Sequence, residues 1–547
     1  MGKSPASQTT FFIIMAQFYS QPRQTPRQSR TVTVTADSLD ALGQGIARLQ
    51  GKTVFIPDLM PGESAQVRLT EEKRHYAKGS VVKRLSDNPA RRKPACRHYG
   101  QCGGCQQQHI PVAMQRETKA AYLAYLLTRE TGEACGEIPV LSGEEYGYRR
   151  RARLALVYSP KTKQLTMGFR QAQSKSTVAV TQCPVLVPRL EALLVPLQRC
   201  LSSLAAAPEL GHAELADTES GPLLVLRHLA PLSDADLSAL TAFCAEHNTA
   251  LYLQGSAGAP PVAVCAPYPP HYAVAGLKLQ FSPQDFIQVN GALNELMVAQ
   301  VLNWLELTKH DRVLDLFCGM GNFTLPVAER AGEVVGVEGV DALVRTAREN
   351  ARLNNLANAA FYHADLSQDI TGEPWAASGF NKVLLDPARA GAAEIMPHIV
   401  ALSPERIVYV SCNPTTLARD SQVLHGAGYH RNAVRMLDMF PQTGHLETVA
   451  LLSKLNTEHH LDIEIGEDEL SEIDFSKDAT YGEIKKYVLD KYGLKVSSLY
   501  IAQIKRKHGL IERENYNFSK KENQRVPNCP EEKEKAIEDA LEHFGMI

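Results

Sequence analysis

Short apolar runs alternate with helix-length segments from Gly276 to Lys454. The clearest runs are VLDLF, VVGVE, KVLLD and IVYVS, and each has the length of a strand rather than of a helix. Strands that alternate with helices in this way predict βαβ units and a parallel, doubly wound sheet. Ligands of such sheets bind outside the carboxyl ends of the strands, so candidate chemistry is expected at those ends.

The pattern near the N-terminus is period-two alternation. Residues 31–34 alternate polar and apolar side chains, and residues 54–56 form a short run bounded by glycine and proline. Several short strands with this punctuation predict a small OB-type barrel over residues 23–86. Barrels of this type commonly bind RNA, although many do not. Residues 87–275 have a mixed α+β pattern and form a central domain, and residues 276–455 hold the parallel sheet.

Both ends of the chain look like appendages. Residues 1–22 are expected to be a disordered N-terminal extension, within which Met15 is an alternative start. Residues 456–478 form an acidic linker. Residues 479–547 are expected to form a helical extension, because the capping-box sequence TYGE opens one amphipathic segment and a serine opens the next, SLYIAQIKRKHG. A basic second helix fits a helix-turn-helix, and a plain helical hairpin is the alternative.

Composition narrows the class of protein. The chain has 547 residues, 44% of them hydrophobic, and no apolar run of about 18 residues, so wholesale disorder and a transmembrane helix are not expected. The 11 cysteines are widely spread, which favours a reducing cytoplasm and metal-binding or catalytic thiols over a disulfide scaffold. Residues 16–100 carry 15 Lys/Arg against 7 Asp/Glu, as expected of nucleic-acid binding, with a solvated surface as the plain alternative.

A glycine-rich turn follows the first apolar run. In VLDLFCGMGNFTLP, Gly319 and Gly321 allow the backbone to pass close to a ligand. The second strand ends in Glu338, which can accept both ribose hydroxyls of a nucleoside. Thr324 stands where a dinucleotide fingerprint needs its third glycine. The combination favours S-adenosylmethionine over a nicotinamide dinucleotide, and Asp365, after a third strand, can reach the adenine.

A cysteine and two acids lie at the ends of other strands. Cys412 follows IVYVS within the sequence SCNP, Asp386 ends KVLLD, and Glu447 comes just before the last apolar run. The helix that follows Cys412 predicts a lowered thiol pKa. A cysteine in an apolar strand is usually a small buried hydrophobe. The polar surroundings and the two acids favour a nucleophile instead.

Four cysteines of the central domain have the spacing of ligands. The pattern Cys96-x5-Cys102-x2-Cys105 is joined by Cys183. This three-plus-one layout suits a [4Fe–4S] cluster, whereas zinc sites more often show two CxxC pairs, and the residues alone leave both open. Four arginines that precede the last cysteine are expected to contact RNA phosphates, with a solvated strand edge as the alternative. They are Arg149, Arg150, Arg151 and Arg153.

Five motifs together resemble the RNA uracil-C5 methyltransferase family. They are DLFCGMGNF, DPARAGA, SCNP-x-TLARD, DMFP-x-TGHLE and FSPQDFIQVN, and the likeness runs from Met15 to about Lys454. The resemblance implies Cys412 as the nucleophile, Glu447 as the general base, a [4Fe–4S] cluster on the four cysteines and a TRAM-like N-terminal barrel. The residues that it places around the methyl donor and the target base are Gln288, Phe317, Asn322, Glu338, Asp365 and Asp386.

The resemblance also implies a reaction, the formation of 5-methyluridine in 23S ribosomal RNA with S-adenosylmethionine as donor. Within this family, a barrel together with a cluster points to the large ribosomal RNA. The alternatives are a dual-site or tRNA-directed uracil methyltransferase and, from another class, a non-catalytic iron–sulfur RNA-binding protein. A cytoplasmic monomer with no membrane contact and no protein partner is expected. Residues 456–547 depart from the family pattern.

Overall fold

The computed structural model describes residues 30–454, apart from positions 257, 369, 371, 377 and 378, and part of the C-terminal extension. The described part of the extension comprises residues 481–508, without 493, 495 and 497, and residues 530–543. The chain divides into two compact units, of which the first ends at Asn456 and the second begins at Thr457. The expected N-terminal extension (1–22) and acidic linker (456–478) lie outside the described residues.

Five short strands form a closed barrel at the N-terminus. They are β1 (Thr31–Leu39), β2 (Gly45–Leu49), β3 (Lys52–Ile56), β4 (Ser64–Glu72) and β5 (Tyr76–Arg84). Their order is β1-β2-β3-β5-β4, and the pairing of β1 with β4 closes the barrel. Val32, Val34 and Ala36 alternate with exposed residues along β1, so one face of the strand fills the interior. The expected barrel is confirmed; only β2, whose residues GIARL lack a clear alternation, was missed.

A helix and a very short strand come next in the chain and are followed by a mostly antiparallel sheet. The helix is α1 (Val112–Thr131) and the strand is β6 (Val140–Leu141). The sheet has the order β13-β12-β11-β10-β7-β8-β9. The strands of this sheet and the helices between them are β7 (Arg151–Ser159), β8 (Gln164–Arg170), β9 (Thr177–Ala179), α2 (Pro188–Glu191), α3 (Leu194–Ser203), β10 (Leu210–Thr218), β11 (Gly221–His228), α4 (Asp234–Glu246), β12 (Ala250–Gln254) and β13 (Val262–Cys265). Helices α3 and α4 bury Leu197, Leu240 and Phe243 in the core of this sheet.

The C-terminal part of the first unit contains the expected doubly wound sheet. Its elements are β14 (His271–Val274), β15 (Leu277–Gln280), α5 (Gly291–Leu305), β16 (Arg312–Leu316), α6 (Thr324–Ala328), β17 (Glu333–Glu338), α7 (Asp341–Leu353), β18 (Ala359–His363), β19 (Lys382–Leu385), α8 (Met396–Leu402), β20 (Arg406–Ser411), α9 (Pro414–Gly426), β21 (Tyr429–Leu437) and β22 (Glu447–Lys454). The sheet order is β18-β17-β16-β19-β20-β22-β21-β6, while β14 and β15 form a separate hairpin. The chain reverses its direction of winding at β16, which is where ligands of such sheets bind.

Residues 112–141 pack with the parallel sheet, although the sequence places them in the central domain. Leu123, Leu126 and Leu127 of α1 enter the same core as Ile407 and Tyr409 of β20. Strand β6 adds itself to the sheet by pairing in parallel with β21. Nothing in the local pattern reveals this, because an amphipathic helix buries its apolar face in the same way against either domain.

The described part of the second unit contains three helices, α10 (Tyr481–Tyr492), α11 (Ser498–Lys507) and α12 (Glu531–His543). They share a small core that includes Ile484, Ile501 and Ile537. The two expected helices are confirmed, and α12 was not foreseen. Lys507 on α11 pairs with two glutamates of α12, which favours a helical bundle over a free basic recognition helix. Among the described residues, no helix combines the length and the apolar character needed to cross a bilayer.

Candidate active site at the carboxyl edge of the parallel sheet

The glycine turn lies directly after β16. Phe317, Gly319 and Gly321 all have positive φ (64°, 56° and 99°), a conformation that glycine adopts without a Cβ penalty. A Cβ on Gly319 would meet nothing within 4 Å, so this face of the turn is open. Glu338, at the end of β17, accepts a hydrogen bond from the Gly319 amide at 3.1 Å. The structure thus brings together the turn and the acid that the sequence predicts.

Below the turn lies an acid that was not singled out as a site residue. Asp315 is completely buried in β16, and burial raises its pKa to about 8. The Thr324 hydroxyl donates to its Oδ2 at 2.6 Å. Its other oxygen, Oδ1, is buried without a hydrogen-bond partner among the described residues. Thr324, the residue in place of a third glycine, therefore supports the turn through this acid.

The side chain of Asn322 is held by hydrogen bonds within the protein that the sequence does not indicate. Its Oδ1 accepts from the Tyr272 hydroxyl and from Asn294 Nδ2, both at 3.0 Å. Its Nδ2 donates to Asn294 Oδ1, also at 3.0 Å. This leaves one N–H of the Asn322 amide for a ligand. Neither Asn294 nor Tyr272 belongs to a motif that would have identified it.

Asp365 is exposed just beyond β18, at the same edge of the sheet. Its Oδ1 accepts from the backbone N–H and the hydroxyl of Ser367, at 3.0 and 2.7 Å. These hydrogen bonds lower the pKa of Asp365. The side chain is therefore a carboxylate at neutral pH and is accessible to a ligand.

Cys412, Asp386 and Glu447 meet at one edge of the sheet: Asp386 and Cys412 directly follow β19 and β20, and Glu447 is the first residue of the antiparallel strand β22. The Cys412 thiol is partly buried after β20, and Asn413 caps the next helix by accepting from the Thr415 N–H at 3.1 Å. Burial, together with the charges of Glu447 and Asp386, raises the pKa of Cys412 to about 11. The expectation of a lowered pKa is wrong, because desolvation and two neighbouring acids raise it.

The two acids affect each other as well as the thiol. Glu447 is 3% exposed, and its burial, assisted by Asp386, holds its pKa well above the usual range. Burial raises the pKa of Asp386 to about 7. Both shifts favour the protonated form of these carboxyl groups. The ends of β19 and β20 and the beginning of β22 thus form a largely desolvated corner of the site that contains two acids and a thiol.

Arg389 is a member of this corner that the sequence analysis missed. Its charge lowers the pKa of both Cys412 and Glu447. Its backbone carbonyl accepts from Asn413 Nδ2 at 2.9 Å. Its loop is held further by Asp420, whose Oδ2 accepts from the Ala392 N–H at 2.8 Å. The only sequence signal was its position in DPARAGA, three residues after Asp386.

A cleft of about 1020 Å³ opens beside Cys412. One wall is the end of β1 and the loop after it (residues 37–42), a second is α1 with Tyr122 and Tyr125, and the third includes Arg389 and Cys412. The barrel touches the catalytic edge directly, since a Cβ on Gly444 would come within 2.8 Å of Leu42 Cα. A substrate that reaches Cys412 therefore passes the barrel.

The four cysteines of the central domain converge in the structure. Burial, together with the charges of Cys105, Cys96 and Cys102, raises the pKa of Cys183 to about 12. All four thiols are free and partly buried. Among the described residues, no three of their sulfurs lie within 4.8 Å of one another. Around a single zinc ion thiolate sulfurs lie about 3.8 Å apart, so this set is more open than one zinc ion requires.

The arginine run is partly internal. The Arg150 guanidinium lies 4.7 Å from the Tyr272 ring centre and donates to the Gln288 carbonyl at 2.7 Å. Arg151 pairs with Glu214 and donates to the Pro283 carbonyl at 2.7 Å. These two arginines hold the FSPQDFIQVN segment, which contains the half-buried Gln288, instead of facing RNA. Of the other two, Arg153 is exposed and Arg149 is half-buried.

Comparison with known proteins follows the same division of the chain. The family model described as tRNA (Uracil-5-)-methyltransferase matches residues 113–455, and the TRAM domain model matches residues 23–82. The 23S rRNA (uracil(1939)-C(5))-methyltransferase RlmD of Photorhabdus laumondii is 58% identical over 440 residues, which cover 80% of this chain and 100% of that protein. The protein of the same name from Edwardsiella ictaluri is 55% identical over 437 residues, or 80% of this chain and 99% of the relative.

A solved structure supports the fold. The tRNA (uracil-54, C5)-methyltransferase of Pyrococcus abyssi, in complex with S-adenosyl-L-homocysteine, superposes with a TM-score of 0.60 at 22% identity. The match covers 77% of this chain and 100% of that one. The parallel sheet is thus that of S-adenosylmethionine-dependent methyltransferases. The chain belongs to the tRNA (uracil-5-)-methyltransferase family.

Proposed function

We propose that this chain transfers a methyl group from S-adenosylmethionine to C5 of a uracil in 23S ribosomal RNA. The observation that carries the proposal is the meeting of Cys412 and Glu447 at the carboxyl edge of the sheet, beside an open glycine turn. The relatives named for uracil 1939 of 23S rRNA are matched over practically their whole length, which supports the same substrate here.

The glycine turn and the acids near it fit the methyl donor. Gly319 leaves room for a ligand at the backbone, Gly321 provides the positive φ of the turn, and Glu338 presents a carboxylate beside them. The orphaned oxygen of Asp315 marks the turn as a place for a polar ligand. When bound, S-adenosylmethionine supplies an electrophilic methyl group, and the electron pair of the broken S–CH3 bond stays on sulfur in the product S-adenosylhomocysteine. The remaining proposed contacts to the donor or the target base are Gln288, Phe317, Asn322, Asp365 and Asp386.

Cys412 and Glu447 would perform the two steps that uracil itself makes difficult. The Cys412 thiolate adds to C6, and the electron pair of the C5–C6 double bond moves to C5, which becomes nucleophilic enough to accept a methyl group. Glu447, once deprotonated, then removes the proton from C5. The electrons of that C–H bond re-form the double bond, and the C6–S bond breaks to release Cys412 as thiolate. Gln288 can hydrogen-bond the uracil edge and reject cytosine.

The cleft between the barrel, α1 and Cys412 is the proposed path of the RNA. Attack at C6 requires access to a face of the base, so the target uracil must leave its stack. Tyr122 and Tyr125 are exposed on the α1 wall, where aromatic rings can stack on flanking bases. We assign RNA binding to the barrel, with Arg149 and Arg153 as further candidate contacts.

We also propose that Cys96, Cys102, Cys105 and Cys183 hold a [4Fe–4S] cluster. Four free, converging thiols with sulfurs spaced more widely than around one zinc ion support a cluster. Its role would be structural, because Cys183 and Arg149 lie on segments joined by the Arg149 N–H···O=C Val185 bond. Iron and sulfide analysis of anaerobically purified protein should give about four of each per chain, and C183S should lose most of both.

The decisive experiment is methyl transfer in vitro. Cluster-loaded protein is incubated with S-adenosylmethionine and unmethylated 23S rRNA, and the product is mapped by mass spectrometry. We expect one 5-methyluridine, its loss in C412A, and normal activity in the matched control C265A, whose thiol lies in β13 away from the site. Two methylated positions would instead indicate a dual-site enzyme. Methylation of tRNA alone would show that tRNA, and not 23S rRNA, is the substrate. No methylation of either RNA would leave the binding-protein alternative.

A further inference from the structure

Three ligand-type side chains meet at the opposite end of α9 from Cys412. Glu133 follows the left-handed Gly132 that ends α1, His425 lies in the last turn of α9, and His430 is the second residue of β21. Helix α9 has 13 residues, so this cluster is about 18 Å along the helix from the nucleophile. No step of the proposed reaction uses it.

The three side chains point at one another. The Glu133 Oε1 lies 2.7 Å from His430 Nδ1 and 3.2 Å from His425 Nδ1. All three ligand atoms lie within 4.8 Å of one another. Their side chains are 24–39% exposed, so the group lies at the surface of the protein and an ion needs only to displace a side chain slightly to reach it.

Hydrogen bonding alone does not satisfy this cluster. His430 Nδ1 shares a good hydrogen bond with Glu133. His425 Nδ1 is buried and faces the same carboxylate, yet it makes no hydrogen bond with any described residue. A cation that accepts both imidazole nitrogens and the carboxylate would satisfy all three groups at once.

We propose that Glu133, His425 and His430 bind a divalent transition-metal ion, with zinc as the best match. Two imidazoles and one carboxylate form a donor set that zinc uses in proteins, whereas magnesium and calcium prefer oxygen ligands. Tetrahedral zinc bonds of 2.0–2.1 Å place ligand atoms about 3.3 Å apart. The observed separations of 2.7 and 3.2 Å are near this value, so small side-chain movements suffice.

The ion would join three segments that are distant in sequence. It would tie the end of α1 to the end of α9 and to the beginning of β21. Helix α1 forms a wall of the cleft, and α9 begins beside Cys412. A metal at this point would therefore stabilise the wall of the cleft against the helix that follows the nucleophile, without touching the substrate.

One positive charge opposes binding. The Arg431 guanidinium donates to the Ala134 carbonyl at 3.2 Å and lies close enough to lower the pKa of Glu133. This charge weakens the attraction of Glu133 for a cation but does not occupy its Oε1. We consequently expect binding in the micromolar range, and we expect the variant R431Q to bind more tightly than the wild type.

The test is a zinc titration of the intact, cluster-loaded protein. After treatment with a chelator and dialysis, metal per chain is measured at increasing free Zn²⁺, with iron followed in the same samples. We expect one zinc per chain in the wild type and binding about tenfold weaker or more in H425A, H430A and E133Q. H310A removes an exposed histidine elsewhere and should bind as the wild type does. Unchanged iron shows that the thiol set does not contribute.

Two further measurements keep the proposal falsifiable if a variant folds poorly. Cobalt(II) should give visible absorption bands of a tetrahedral site in the wild type and not in H430A. Zinc should raise the unfolding temperature of the wild type and of H310A only. Equal zinc binding by the wild type and the three cluster variants, or none in the wild type up to 100 µM, would overturn the proposal and leave a hydrogen-bonded cluster.

Discussion

The two halves of the candidate active site are built in different ways. The methyl-donor half is a single turn after β16 with Glu338 at its side, and its properties come from positive φ angles and backbone amides. The nucleophile half collects Asp386, Cys412 and Glu447 from three strand ends, and its properties come from the charges of these groups on one another. The first half should therefore respond to changes of backbone freedom, and the second to changes of charge and of tertiary support.

The largest effect is expected at Glu447. In E447Q the carboxylate that would remove the C5 proton is absent, so turnover should fall about 10²- to 10⁴-fold. The Cys412–RNA adduct should accumulate, because it forms before proton removal. Turnover is measured by methyl transfer and the adduct by denaturing electrophoresis.

The same variant also distinguishes the nucleophile half of the site from the methyl-donor half. Binding of S-adenosylmethionine by E447Q should equal that of the wild type, since the donor turn is untouched. E405Q changes an exposed glutamate of similar chemistry and should retain full activity. Near-normal turnover of E447Q, or absence of any adduct, would contradict the assignment of Glu447 as base.

The second effect concerns tertiary support of the nucleophile half. Lys119 of α1 and Asp438, just after β21, form a buried ion pair with a 2.9 Å separation and no exposure of either side chain. K119M leaves Asp438 with Arg116 alone, at 3.0 Å. Breaking a buried pair costs about 3–5 kcal/mol, and the remaining arginine should keep the loss of unfolding free energy near the lower end.

Urea unfolding measures this loss of unfolding free energy, and a variant that breaks an exposed ion pair serves as the control. R345M removes the partner of Asp341 on α7, where both side chains are more than half exposed, and should cost less than about 0.5 kcal/mol. K119M should also weaken RNA binding, because α1 is a wall of the cleft, while the donor affinity stays unchanged. A loss in K119M no larger than in R345M would show that α1 needs no such anchor.

A smaller effect is expected from the backbone of the donor turn. Gly319 has φ +56°. An alanine at this position would make no steric clash, but its left-handed backbone conformation would cost about 1–2 kcal/mol. If the turn relaxes to avoid this strain, G319A should bind S-adenosylmethionine about 5- to 30-fold more weakly by calorimetry. G426A, at the open end of α9 with no positive φ, is the control and should bind normally. Equal affinities would show that the turn does not set donor binding.

The smallest and most specific effect is on the pH profile. Because burial raises the pKa of Cys412 and of Glu447, and both act in their deprotonated forms, the single-turnover rate should increase as the pH rises. D386N removes a charge that raises both pKa values and should move this increase to lower pH. R389Q removes a charge that lowers both and should move it to higher pH. Displacements in the same direction would refute the electrostatic coupling of this corner.

Much of the architecture could be predicted because it has local causes. Alternation in β1, the apolar runs of β16 to β20 and the glycines of the turn each act within a few residues. The positions of Cys412 and Asp386 at one edge also followed from the sequence, since parallel strands align their carboxyl ends. Glu447 reaches the same edge because it begins the antiparallel strand β22. The contacts that each side chain makes could not be predicted. Asn322, for example, forms hydrogen bonds with Asn294 and Tyr272.

The remaining differences have the same physical origin. Arg150 and Arg151 look like RNA contacts in a sequence of four arginines, but the Gln288 and Pro283 carbonyls, more than 130 residues away, take their hydrogen bonds. The sequence of residues 112–141 has no pattern that predicts which sheet they pack with. The pKa of Cys412 changes in the direction opposite to the local expectation, because acids from other strands lie beside it.

The sequence by itself determined most of the elements, the order of the domains, the donor turn and the candidate reactive groups, since these depend on residue type and short spacing. The tertiary structure alone decided which arginines are internal, how strongly the thiol and the acids hold their protons, where α1 packs, and that Glu133 meets His425 and His430. The reason is that desolvation and charge interactions act over distances in space, and residues some 290 positions apart become neighbours only when the chain is folded.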